Sequence, residues 1–266
     1  MRRLNVMALA ATLALGCCGV WAQTEGAPAK PEADPKLADI EKQIIKKWQD
    51  IKSVQCHMDM VGEQTATNKM KMDGDMSLVK QDGTAMYRME GKMEISFSMG
   101  DAEQKMNGTY LTVCDGKDAY TLQEMSGMAG MPPMKQCMKM KPDAANQMQD
   151  PRKMFDELRK THKLKVEPEA EVDGEKCWVV SATPNESMPG QPTKQVFCFR
   201  QSDGLMAKTE SFDESGKVTS TATMTKYKLN EKIDPKTFEF TPPAGVPVQD
   251  MTNLPTGDEV ESPDEP

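Results

Sequence analysis

Methionine at alternate positions constrains this chain more than any other feature. Across residues 69–79, Met70, Met72, Met76 and Leu78 share one parity, while Lys69, Lys71, Asp73, Asp75 and Ser77 take the other. A strand sends successive side chains to opposite faces, so this run has a sulfur-rich apolar face and a charged face. The pattern recurs at Val54, Cys56, Met58 and Met60, and again at Met93, Ile95, Phe97 and Met99. In all, 24 of 266 residues are Met, against seven Phe and three Trp. Met has three flexible torsions and a polarisable sulfur, so it fills irregular gaps and serves promiscuous binding surfaces. A sheet face built from it suits variable apolar ligands. The competing reading is an ordinary core in which Met replaces Leu and Ile, a swap that cores tolerate.

The N-terminus has the form of a secretory signal, predicted over residues 1–22. Arg2 and Arg3 precede an apolar run at 6–15, and Val20-Trp21-Ala22 offers a small-x-small cleavage site before Gln23. That run is too short to span a bilayer, and no later segment approaches the length needed. This predicts a soluble periplasmic protein. The alternative is a lipoprotein signal, Ala14-Leu15-Gly16-Cys17, which would leave the protein anchored through a lipidated Cys17. Cleavage after Ala22 removes two arginines and no acid, moving the formal charge from −8 to −10. So acidic a chain excludes nucleic acid as a natural partner. Five cysteines remain. Export permits disulfides, and the odd count leaves at least one thiol over. Cys177 and Cys198, in successive strand-like runs, are the predicted pair, with the state of Cys56, Cys114 and Cys137 left open.

Residues 23–35 read as a flexible leader and 251–266 as a disordered acidic tail. Asp34-Pro35 is a helix-start signal, and Leu37, Ile40, Ile44, Trp48 and Ile51 follow at helical spacing. Residues 54–122 alternate strand-like runs with Asp73-Gly74, Asp82-Gly83 and Asp115-Gly116, which predicts an antiparallel meander with turns at or near these pairs. Residues 125–142, rich in Gly, Pro and Met, look irregular. A second helix is predicted over 151–162 with Asp150 as its cap. Strands return at 164–166, Cys177, Val196, Leu205, 218–229 and Phe238, several of them separated by Asp173-Gly174, Asp203-Gly204 and Ser215-Gly216. A single mainly β domain over 36–250 follows. Long antiparallel sheets curl, so the predicted architecture is an unclosed antiparallel β-barrel, a curved sheet with a few helices covering an apolar cavity.

Three passages resemble one family, the periplasmic LolA-type carriers that move lipoproteins to the bacterial outer membrane. FEFTPPAGVPVQD (residues 238–250) is similar to the family's closing F-x-F-x-P-P-x-G-V-x-V segment. VCDGKDAYTL (113–122) is similar to its V-S-D-G-K turn and following strand, and GDMSLVK (74–80) resembles its G-x-L-x-V-K strand. The resemblance implies a half-barrel whose cavity accepts acyl chains, with an acylated lipoprotein or lipid as cargo. It also implies membrane-bound donor and acceptor proteins, a monomer, and no cofactor. The expected lining is Met58, Met60, Met70, Met72, Met76, Leu78, Met93, Ile95, Phe97 and Met99. One departure stands out. The family follows V-K with an arginine implicated in lid switching, whereas Val79-Lys80 is followed by Gln81. Arg88 and Lys80 are the candidate substitutes.

A second chemistry is written into residues 125–140. Met125, Met128, Met131, Met134, Cys137 and Met138 carry the soft ligands that select Cu(I). The alternative is a lid segment whose methionines cover the cavity mouth. In Cys56-His57-Met58, strand geometry turns His57 away from the other two. An enzyme is not expected: the chain has two histidines, and G-x-S-x-G, H-E-x-x-H, G-x-G-x-x-G and Cys-x-x-Cys are all missing.

Overall fold

Leu37, Ile40, Ile44 and Trp48 recur every three to four residues, and helix α1 (Pro35–Asp50) buries all four. Its exit is held by the Ile51 amide donating to the Trp48 carbonyl. In the computed structural model, the described residues are 35–65, 68–81, 84–99, 102–127, 132–142 and 150–252. The predicted signal, the predicted leader up to residue 34 and nearly all of the predicted tail lie outside them, as do the Asp82-Gly83 pair, Met128 and Met131; Pro35, the leader's last residue, opens α1. Among the described residues, no helix is long and apolar enough to cross a membrane. The described residues all fall within one compact unit, Ala33–Thr252.

Twelve strands form one sheet. In chain order they are β1 (Ser53–Thr65), β2 (Asn68–Gln81), β3 (Thr84–Met99), β4 (Ala102–Cys114), β5 (Ala119–Ser126), β6 (Met134–Met140), β7 (His162–Val172), β8 (Glu175–Pro184), β9 (Lys194–Arg200), β10 (Met206–Phe212), β11 (Val218–Leu229) and β12 (Val248–Asp250). Helix α2 (Pro151–Thr161) precedes β7. The spatial order is β12-β6-β5-β4-β3-β2-β1-β11-β10-β9-β8-β7, so among the described residues two edges stay unpaired and the sheet is an unclosed barrel. Every pairing is antiparallel except β12 with β6. The meander expected for the first half is present as β1 to β5.

Turn chemistry explains several junctions. Asp173 and Gly174, both at positive φ (51° and 77°), make the two-residue hairpin between β7 and β8. Between β4 and β5, Asp115 Oδ1 accepts from the Lys117 and Asp118 amides. Asp213 holds the β10–β11 turn in the same way, accepting from the Ser215 and Lys217 amides. Asp73-Gly74 is different: it lies inside β2, paired with Lys92 and Gly91 of β3. Residues 134–140, expected to be irregular, form β6. Phe238, expected in a strand, ends a 3-10 turn (Pro235–Phe238) that Asp234 caps through the Lys236 amide.

Both helices pack against β8 and β9. Leu37, Ile40 and Ile44 of α1 and Met154 and Phe155 of α2 form one core with Val180, Ala182, Phe197 and Phe199. Asp150 caps α2 as expected, its side chain accepting from the Arg152 amide at 3.0 Å. Arg159 of α2 grips both carboxylate oxygens of Glu41 on α1. A second core joins Trp48 and Ile51 to Val54, Leu78, Tyr87, Cys114 and Ala119. The closing segment docks on the sheet: Phe238 is buried and the Phe240 ring lies 5.3 Å from Tyr120. Val248–Asp250 then extends the sheet beside Cys137, Met138 and Lys139.

Candidate functional site

Strand register assembles the methionines into rows. Met60 stands opposite Ala222 on β11 and Met72 on β2; Met72 faces Met93, Met93 faces Gly108, Gly108 faces Met125, and Met125 faces Met134. One row thus crosses seven strands with five methionines, spanning about 24 Å from β1 to β6 at the usual strand spacing. Parallel to it run Gly62-Met70-Ile95-Met106 and Cys56-Met76-Met89-Thr112-Thr121-Met138. The lining residues read from the sequence share this face, with Phe97 opposite Asn68, and Met99 keeps the same register parity opposite Ala102. Register adds Met89, Met106 and the β5–β6 methionines, which alternation in the first three runs did not reveal.

The helices sit on the same face, over its other end. Leu78 belongs to the Trp48 core, with Met76 packed against it. Met58, Met60, Met70, Met72, Met93 and Met106 belong to neither helix-containing core. Met70, Met93 and Met106 are nonetheless buried, while Met58, Met60 and Met72 are half-buried. An open cavity of about 350 Å³ crosses these strands, and most of its lining belongs to the charged parity. Its lining comprises Met60, Met72, Met93 and Gly108 together with Asp59, Val61, Lys71, Asp73, Lys92, Glu94 and Asn107. That volume is at the small end of ligand sites.

Glycines shape the face as much as sulfur does. Gly74, Gly91 and Tyr110 are consecutive cross-strand neighbours, and a Cβ at Gly74 would collide with the Tyr110 hydroxyl. At Gly108 a Cβ would likewise meet the Met125 sulfur. Burial pushes the Tyr110 phenol up to about 12, with Asp73, Asp75 and Asp59 adding to the shift.

The opposite face carries the charged parity. His57 Nδ1–H donates to Asp75 Oδ1 at 2.9 Å, while Nε2 lies 3.4 Å from both Asp59 Oδ2 and Asp73 Oδ2. The Asp75 hydrogen bond raises the imidazole above its ordinary value of 6.5. His57, Asp59 and Asp73 form a group with metal-ligand chemistry, though exposed acidic groups of this kind are common without an ion. Cys56 and Met58 point the other way, as strand geometry requires. The candidate copper set is divided too. Met125 and Met134 are cross-strand partners and Met138 shares their face, but Cys137 has the opposite parity, where Val248 pairs with it. Burial raises the Cys137 thiol, which disfavours a thiolate ligand.

Two further expectations meet the geometry. Cys177 and Cys198 lie on adjacent strands, but both are free thiols. Cys198 faces Val179 while Cys177 faces Arg200, so the two are diagonal neighbours. The usual diagonal spacing of about 7–8 Å exceeds the roughly 4 Å between Cβ atoms that a disulfide requires. As for the arginine that the resemblance leads one to expect after Lys80, Lys80 Nζ itself donates to the Trp48 carbonyl at the end of α1 and sits 4.0 Å over the Trp48 ring. Arg88 instead reaches the Thr237 carbonyl at 3.4 Å and pairs with Glu90 at 2.7 Å.

These features define a class: an open, mainly antiparallel half-barrel with two helices packed on the face that carries the methionine rows. Within that class the chain resembles the LolA-type outer-membrane lipoprotein carriers. A 73-residue stretch, 27% of the chain, is 37% identical to the outer-membrane lipoprotein carrier protein of Pseudoalteromonas translucida (strain TAC 125). The match spans about a third of that relative's length, 35%. No family model matches the chain. Among solved structures, the chain is similar to an uncharacterized conserved protein of Thermus thermophilus, with TM-score 0.49, 12% identity, and coverage of 81% of this chain and 99% of that one. It is also similar to MucB, with TM-score 0.45, 16% identity, and coverage of 79% and 64%. With both TM-scores below 0.5, the description of the fold rests on the sheet itself.

Proposed function

We propose that this protein is a periplasmic carrier that holds the acyl chains of a lipoprotein or another lipid against its methionine rows. The observation that carries the reading is the row Met60-Met72-Met93-Gly108-Met125-Met134, apolar and outside both helix-packed cores. Each methylene moved from water onto such a surface contributes about 0.8 kcal/mol. A carrier must also release its cargo, and flexible thioethers bind without fixing one geometry. The partial identity to a lipoprotein carrier supports the same cargo class, with membrane-bound donor and acceptor proteins as partners. No catalytic step is part of the proposal. Native mass spectrometry of the exported protein, with displacement of a fluorescent acyl probe, tests it. Lipid bound to the wild type and lost on replacing Met72 and Met93 by Gln is expected. A protein that neither co-purifies with lipid nor binds the probe would refute the reading.

A second reading, Cu(I) binding, draws on the direct pairing of Met125 with Met134. Replacing Met125 and Met134 by Leu keeps apolar volume and removes sulfur. Copper binding unchanged by that replacement ends this reading, and acyl binding should survive it.

A further inference from the structure

Two tyrosine hydroxyls, those of Tyr87 and Tyr110, are buried without a hydrogen-bond partner. They differ in surroundings. Tyr87 is packed into the core with Trp48 and Ile51, where nothing can reach it without displacing α1. Tyr110 is just as buried, at 3% exposure, but belongs to neither helix-containing core. Its side chain spans the furrow left by Gly91 and Gly74, and its oxygen ends at Gly74, whose partner on β1 is Met58. On this face, the rows beside that furrow carry Met60, Met72 and Met93 on one side and Cys56, Met76 and Met89 on the other.

An unpaired buried hydroxyl is disfavoured, and native proteins keep one mainly where it has a task. Apolar binding sites typically owe their specificity to a few well-placed polar groups. Tyr110 stays protonated through the neutral range, so it offers a donor and calls for an acceptor. The methionines around it can repack to admit a chain. Resting on the acyl-carrier reading above, we infer that Tyr110 is a specificity-determining residue. Its hydroxyl donates a hydrogen bond to the ester or amide carbonyl of the bound acyl lipid, so the face prefers acylated chains to plain hydrocarbon.

The test uses the full chain and two probes of equal length, methyl laurate and tetradecane, each displacing a fluorescent apolar dye. The ester-to-alkane affinity ratio should be about tenfold higher for wild type than for Tyr110→Phe, the worth of one hydrogen bond of roughly 1.4 kcal/mol. Tyr110→Phe keeps the ring, so its alkane affinity should be unchanged. In the infrared, the ¹³C-labelled carbonyl of bound ester should absorb at lower wavenumber in wild type than in Tyr110→Phe. Equal ester preference and an unshifted carbonyl band in the two proteins would overturn the inference while leaving the acyl reading intact. Failure of wild type to bind either probe would overturn both. A melting curve for Tyr110→Phe at or above that of wild type shows that the fold is retained.

Discussion

Strands β8 and β9 offer Val180, Ala182, Phe197 and Phe199 to two helices. Strands β1 to β4 offer Met58, Met60, Met70, Met72, Met93 and Met106 to no helix of either core. Where the helices cover the sheet, the strand residues are Val, Ala and Phe, with few rotamers and well-defined shapes; Phe155 is fully buried there and its ring lies 5.6 Å from Phe199. Where no helix covers the sheet, the residues are flexible. The difference follows from what each region must fit. A helix always presents the same surface, so a fixed complement maximises contact. A changing occupant rewards side chains that can adapt.

The largest expected effect sets these regions against each other. Phe155→Ala removes a fully enclosed ring between α2 and β9 and should cost about 3–5 kcal/mol. Met72→Leu and Met93→Leu, being volume-conserving in pliable surroundings, should each cost less than about 1.5 kcal/mol. Urea midpoints measure both. If the leucine variants lost as much as Phe155→Ala, the rows would be an ordinary packed core and the contrast would fail.

How much of this was legible beforehand depends on where the information lies. Alternation is local, so the parity of Met70, Met72 and Met76 and the spacing of Leu37, Ile40, Ile44 and Trp48 announced a face and a helix correctly. Asp73-Gly74 has the composition of a turn, but Gly74 is there because the Tyr110 side chain from β4 needs the space. Nothing near residue 74 says so. The glycines and prolines just before β6 concealed the alternation of Met134, Met138 and Met140, and with it the outward parity of Cys137. Tyr110 itself was missed: its role depends on glycines of two other strands, which only register brings beneath it. The aspartates around His57 were equally hidden. Asp73 and Asp75 show the right parity, but their approach to His57 requires the β1–β2 pairing.

A middle-sized effect concerns the junction of the two regions. Lys80 on β2 reaches the Trp48 carbonyl on α1 and covers the Trp48 ring, adding a charged donor at the helix end, where carbonyls lack helical partners. Lys80→Met keeps the apolar stem and loses the charge, the hydrogen bond and the cation–π contact. A loss of about 1–2 kcal/mol is expected. Hydrogen exchange should show faster opening of the last turn of α1, with β8 and β9 unchanged. If α1 and the β8–β9 core loosened together, the helix would be one unit with the sheet rather than separately latched at Trp48.

The smallest expected effect asks whether the two faces of the methionine-bearing strands act independently. His57 on the charged face meets Asp59 on its own strand, Asp73 and Asp75 on β2, and Lys226 on β11. The Asp75 hydrogen bond raises its pKa, burial opposes this, Asp59 and Asp73 add to it, and Lys226 subtracts. A raised folded-state value means the charged imidazolium favours folding. Its contribution is fully present below the ordinary value of 6.5 and is lost as pH rises through the folded value. His57→Gln should therefore be less stable than wild type at about pH 5.5, by under about 1 kcal/mol for so exposed a set of carboxylates, and should match it at about pH 9. Acyl-probe affinity should not follow this titration, because Cys56 and Met58 turn away from His57. An affinity that fell in step with His57 deprotonation would show that the charged face governs the methionine rows through β1 and β2. The contrast would then have to be drawn between whole strands rather than between their two faces.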